Sequence, residues 1–148
     1  MGDEVATSNV NRAYSLAATS IAIFTFTLFF LHPRFVSGEA DALLFQATIV
    51  VMGLATFSFV FATFYYYGAS LGGRMIDKDR VHYARRGDRF WLLGYTLLLL
   101  APTLILFSIE LVTVGCVWLA LWLVFLVFII RRFPKVRTEL ESEGEGVP

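Results

Sequence analysis

The chain has 148 residues, 57% apolar and 16% charged, and its twelve basic and twelve acidic residues balance to zero net charge. A soluble domain carries about 25% charged residues, so this composition excludes an ordinary soluble globule. The lone cysteine, Cys116, excludes an internal disulfide, a C-x-x-C redox centre and a cysteine-rich zinc site.

Four long runs free of charge define the elements. Crossing a bilayer core takes about 20 apolar residues in a helix, and a soluble helix of that length would show a charged face. The sequence therefore predicts an all-α, polytopic membrane protein: a four-transmembrane-helix bundle with spans at 13–32, 42–68, 90–108 and 111–131. Residues 1–12 form a cytoplasmic arm, 69–89 a basic loop, and 132–148 a basic-then-acidic tail expected to be disordered. The segment VSGEA at 36–40 has the composition of a signal-peptide cleavage site. The arm before it carries Asp3 and Glu4, however, and the first apolar run exceeds the 7–15 residues usual for such a leader, so an uncleaved span is expected.

In the first span, Ser15, Ala18, Thr19, Ala22 and Thr25 recur at helical spacing and make a small, weakly polar stripe. Small residues let membrane helices approach closely, so the stripe fits a packing face. Its hydroxyls also fit the lining of a hydrated path. The first loop carries Glu39 and Asp41 against a single Arg34. The second span has two faces of this kind, one with Ala47, Ala55, Ser58 and Ala62, the other with Gln46, Gly53, Thr56 and Thr63. A helix with close-packing surface on both sides is expected at the centre of a bundle, with Gly53 admitting a neighbouring backbone.

The loop GGRMIDKDRVHYARRGDR holds Arg74, Lys78, Arg80, Arg85, Arg86 and Arg89. With Arg12 and the tail residues Arg131, Arg132, Lys135 and Arg137, it places eleven basic residues on one side of the membrane and only Arg34 on the other. Positive charge stays inside, so both termini and the loop are expected in the cytoplasm, most simply of a prokaryotic plasma membrane. Beside a bilayer the usual partner of such residues is an anionic lipid headgroup, and no nucleic-acid partner is expected. Asp79 and His82 share a helical face, but a metal site needs at least three convergent ligands. Tyr14, Tyr65, Tyr66, Tyr67 and Trp91 fall at cytoplasmic ends of spans as an aromatic girdle.

The run from Phe90 to Ile130 contains one charge, Glu110, near its midpoint. A carboxylate at the bilayer centre costs a few kcal/mol or more. A tight turn at 108–111 instead puts Glu110 at the water interface, so two spans are expected. Pro102 sits inside the third span, where it removes one amide bond and is expected to kink the helix. In the fourth, Thr113, Cys116 and Ala120 share a face, and Trp118 and Trp122 are neighbours one turn apart, placed to fill space between helices or subunits.

No span carries a charge in its middle, which argues against a proton-coupled exporter. No catalytic set can be assembled from span residues, no glycine loop cradles phosphate, and no cofactor is implied. The segment RAYSLAATSIAIFTFTLFFL resembles the first helix of lysosomal and bacterial potassium channels of the TMEM type, but Leu16 stands where those channels have Asp, and no residue role carries over. The topology is similar to that of Orai-type calcium channels, whose first span has an acidic residue that this one lacks. The functional expectation is a small, homo-oligomeric integral membrane protein conducting cations past outer carboxylates at Glu39, Asp41 and Glu110. A non-catalytic accessory or assembly subunit of a larger membrane complex is the alternative, and a membrane-embedded enzyme is third.

Overall fold

The computed structural model describes the backbone of residues 2–70 and 77–144, and the side chains of 8–70 and 81–131. Four helices follow in chain order: α1 (Gly2–Val36), α2 (Ala42–Ser70), α3 (Asp77–Ser108) and α4 (Val112–Gly144). Each contains a segment long and apolar enough to cross a membrane: Ser8–Val36, Ala42–Ser70, Val81–Ser108 and Val112–Arg131. The all-α membrane architecture follows from this.

The helices outrun the spans read from the sequence. Pro33 does not end α1, because it sits in the last turn and removes a single amide bond there. Residues 77–89, expected as loop, form the first turns of α3. The tail 132–148 is expected from the sequence to be disordered; the backbone of 132–144 continues α4.

Helix α2 is central, packed on α1 and most extensively on α3, while α4 packs chiefly on α3 and far more sparingly. The α2 seam is a heptad. Phe45, Thr48, Met52, Ala55, Phe59, Ala62, Tyr66 and Ala69 are all buried, at alternating steps of three and four residues. Its large members, Phe45, Met52, Phe59 and Tyr66, recur every seventh residue. So do the small residues Gly87, Gly94, Ala101 and Ser108 of α3, each buried. A Cβ on Gly87 would fall 2.8 Å from the Tyr66 ring, and one on Gly94 would fall 3.1 Å from both the Phe59 ring and the Ala55 carbonyl oxygen. The same register brings Met52 to Ala101 and Phe45 to Ser108, and the Asp41 amide bonds the Ser108 carbonyl at 3.3 Å. Large residues thus enter the gaps left by small ones along the whole antiparallel pair. In lipid, where burial gives little drive to helix association, such close contact is the main source of cohesion.

On α1 the seam toward α2 is Ala13, Ala17, Ser20, Thr27 and Leu31, all buried, with half-buried Phe24 between. The Ser20 and Thr56 hydroxyls bond each other across the interface at 2.9 Å, and Phe35 stacks on Phe45 at 4.8 Å. Gly53 admits no neighbouring backbone, since nothing lies within 4 Å of where its Cβ would be. Gln46 is exposed, while Thr48, Thr56, Ser58 and Thr63 bond their hydroxyls back to α2 carbonyls.

Candidate functional site

The stripe of Ser15, Ala18, Thr19, Ala22 and Thr25 is exposed along its whole length. At 100° per residue it lies about half a turn from the seam that α1 turns to α2. Among the described residues it packs against nothing, and the packing face of α1 is the opposite one. Thr19 bonds the Ser15 carbonyl and Thr25 the Ile21 carbonyl, each at 2.9 Å. Both donors are therefore satisfied by the helix itself, and both oxygens keep acceptor capacity. Toward the turn end of the molecule the same side of α1 becomes aromatic, with Phe26, Phe29 and Phe30 exposed and the Phe26 and Phe30 rings 4.3 Å apart.

At the turn end, α1 and α3 stop in the same way. After α1, the Glu39 amide bonds the Arg34 carbonyl at 2.8 Å and the Gly38 amide the Phe35 carbonyl at 3.2 Å. After α3, the Leu111 amide bonds the Leu106 carbonyl at 2.9 Å and the Glu110 amide the Phe107 carbonyl at 3.2 Å. This pairing demands a left-handed residue, usually glycine. Gly38 supplies it with φ 77°, but in the second turn Glu110 takes it with φ 63°. The tight turn expected at 108–111 is present, and Glu110 is exposed there. Asp41 accepts the Leu44 amide at 2.8 Å and so caps α2. The bond between Asp41 and Ser108 ties the two turns together. Glu39, Asp41 and Glu110 consequently share one end of the molecule, all exposed.

The opposite end carries the basic residues. Arg12, Arg85, Arg86, Arg89 and Arg131 are exposed. Arg74 lies outside the described residues, as do the side chains of Lys78, Arg80, Arg132, Lys135 and Arg137. Tyr14 and Tyr67 are exposed as a girdle requires, but Tyr66 is buried at 6% exposure and its hydroxyl donates to the Asp88 carboxylate at 2.6 Å. Tyr66 packs with Ala13 and Ala62, flanked by Val10, Phe90 and Trp91, so three helices meet around it. The pair was missed in the sequence because three consecutive tyrosines all fit a girdle. The signal that separates them is the heptad step from Phe59 to Tyr66.

Between α3 and α4, Trp122 donates its indole N–H to the Thr96 carbonyl at 3.0 Å, and Tyr95 meets Phe125 at 5.7 Å. Trp122 thus fills space between helices, while Trp118 is 40% exposed. Cys116 is exposed. Helix α3 runs through Pro102 without ending. The next residue, Thr103, is 1% exposed, and its hydroxyl has no hydrogen-bond partner among the described residues. Among the described residues no three His, Cys, Asp or Glu side chains converge.

No family model, no curated protein and no solved structure matches this chain.

Proposed function

We propose that the protein is a small oligomeric membrane protein whose copies meet through the outward face of α1 and leave a cation-conducting path between them. The observation that carries this reading is the stripe from Ser15 to Thr25: the longest run of small and hydroxyl-bearing residues on α1 is turned away from its own chain. In this reading conduction belongs to the space between copies. Thr19 and Thr25 spend their donors on their own helix, and their oxygens remain available to partly hydrated cations. Glu39, Asp41 and Glu110, repeated around an axis, concentrate cations at one mouth. Phe26, Phe29 and Phe30 form a narrow apolar section between that mouth and the stripe, where dewetting can gate the path. By the distribution of basic residues, the acidic mouth is the outer one.

The aromatic half of the α1 face also favours a second reading, in which that face docks on other membrane proteins and the chain is an accessory subunit. Two measurements separate the readings. The mass of the detergent-solubilised particle distinguishes a homo-oligomer from a monomer bound to other proteins. Cation flux into vesicles containing only this protein tests conduction, and Thr19→Leu with Thr25→Leu should abolish it. Absence of flux, or flux unchanged in that variant, refutes the channel.

A further inference from the structure

We propose that His32 makes the conducting path sensitive to pH: its imidazolium offsets the carboxylates at the acidic mouth and lowers cation flux in mild acid. The inference rests on the channel reading, and its test separates the two.

Histidine is the side chain whose charge ordinarily changes between pH 5 and 8, and the chain has two. His82 lies at the basic end. His32 lies at the other end, exposed near the close of α1. It follows Thr25 by one heptad, so at 100° per residue the two differ by only about 20° in direction. It also stands one turn beyond Phe29, about 4.5 Å nearer the mouth. The Phe35 ring stacks on Phe45 and fixes this end of α1 on α2. His32 is thereby held at the edge of the outward face, where the aromatic section gives way to the carboxylates.

The charged groups that share this end with it are few. On its own segment they are Arg34 and Glu39. The bond from the Glu39 amide to the Arg34 carbonyl at 2.8 Å folds Glu39 back to the end of α1. The start of α2 contributes Asp41, and the α3–α4 turn contributes Glu110. The bond from the Asp41 amide to the Ser108 carbonyl keeps that turn beside α2. Packed helices lie about 8–10 Å apart, and in 0.01 M salt charges interact over about 30 Å, so these groups act on one mouth together. Three carboxylates against one guanidinium leave two negative charges per chain when His32 is neutral, and one when it is protonated. Halving the charge halves the potential, and the enrichment of cations falls to about its square root. A roughly tenfold enrichment, the low end for a charged cleft, becomes about threefold.

The test is potassium flux into vesicles containing only this protein, at pH 8 and pH 5.5, in dilute and in concentrated salt. In dilute salt the wild-type flux should be about three-fold lower at pH 5.5, and concentrated salt should erase most of that difference. H32Q should keep the higher flux at both pH values, and H32K should hold the lower flux at both. H82Q, at the basic end, should respond as the wild type does. The particle mass of each variant in detergent shows that assembly is unchanged. An H32Q protein with the full wild-type response, or a response lost in H82Q and kept in H32Q, would overturn this inference and leave the channel standing. Absence of flux at both pH values would refute the channel, and this inference with it.

Discussion

Gly94 and Gly53 lie on neighbouring helices in similar apolar surroundings, yet alanine at each should change stability in opposite directions. At Gly94 a new Cβ meets the Phe59 ring and the Ala55 carbonyl oxygen, both at 3.1 Å. Phe59 is fully buried and the carbonyl belongs to a helix, so neither moves cheaply. Overpacking of this kind costs about 1–3 kcal/mol, against roughly 1 kcal/mol gained from alanine's helix propensity. The expected net loss is up to about 2 kcal/mol, and Gly94→Leu should prevent folding. At Gly53 nothing lies within 4 Å, so Gly53→Ala should keep the propensity gain of roughly 0.5–1 kcal/mol. The assay is reversible unfolding in mixed micelles, followed by tryptophan fluorescence at low protein concentration. If Gly94→Ala proves neutral while Gly53→Ala destabilises, the α2–α3 seam described above is wrong. If Gly53→Ala destabilises only at high concentration, the open side of α2 is a contact between copies.

Removing the buried hydroxyl with Tyr66→Phe should cost about 1.5 kcal/mol, the low end for a bond to a charged group because Asp88 is exposed. Asp88→Ala should cost more, since it leaves that hydroxyl buried without a partner, and thermal unfolding of both variants checks the order. Glu110→Gly relieves a left-handed non-glycine residue and should stabilise the α3–α4 turn by about 1 kcal/mol in the same assay. In a Cys116→Ala background, an impermeant thiol reagent applied to intact cells should label Ser37→Cys and spare Ser70→Cys; the reverse result would invert the orientation.

The four helices and the turn at Glu110 were legible because charge in a bilayer is so costly that charge-free runs can only be spans. Helix ends were less legible. The charged residues that mark the limit of the apolar run do not stop a helix, so α3 begins at Asp77 and not at Phe90. The α2–α3 interface was written in the sequence as Gly87, Gly94, Ala101 and Ser108, but its step of seven is visible only when glycine is counted as a contact residue. Read as loop and punctuation, Gly87 could not join that series. Tyr66 was hidden for a related reason, since a tyrosine at a span end satisfies the girdle rule whether it faces lipid or a neighbouring helix.

The two small faces of α1 show why helical spacing alone could not identify the packing side. Both repeat with the period of a helix and both carry hydroxyls. They differ in evenness. The seam that meets α2 mixes Ala13, Ala17 and Ser20 with Phe24 and Leu31, and α2 answers with its own mixture of large and small residues. Interlocking at native density needs such unevenness on both sides. The outward stripe has no side chain larger than threonine between Ser15 and Thr25, so against the uneven surface of α2 it would leave voids beside every alanine. An even, small face suits a backbone that comes uniformly close, and among the described residues no other helix presents one to it. In the proposed function a second copy supplies that surface, and particle mass is the measurement on which the channel and accessory readings both depend.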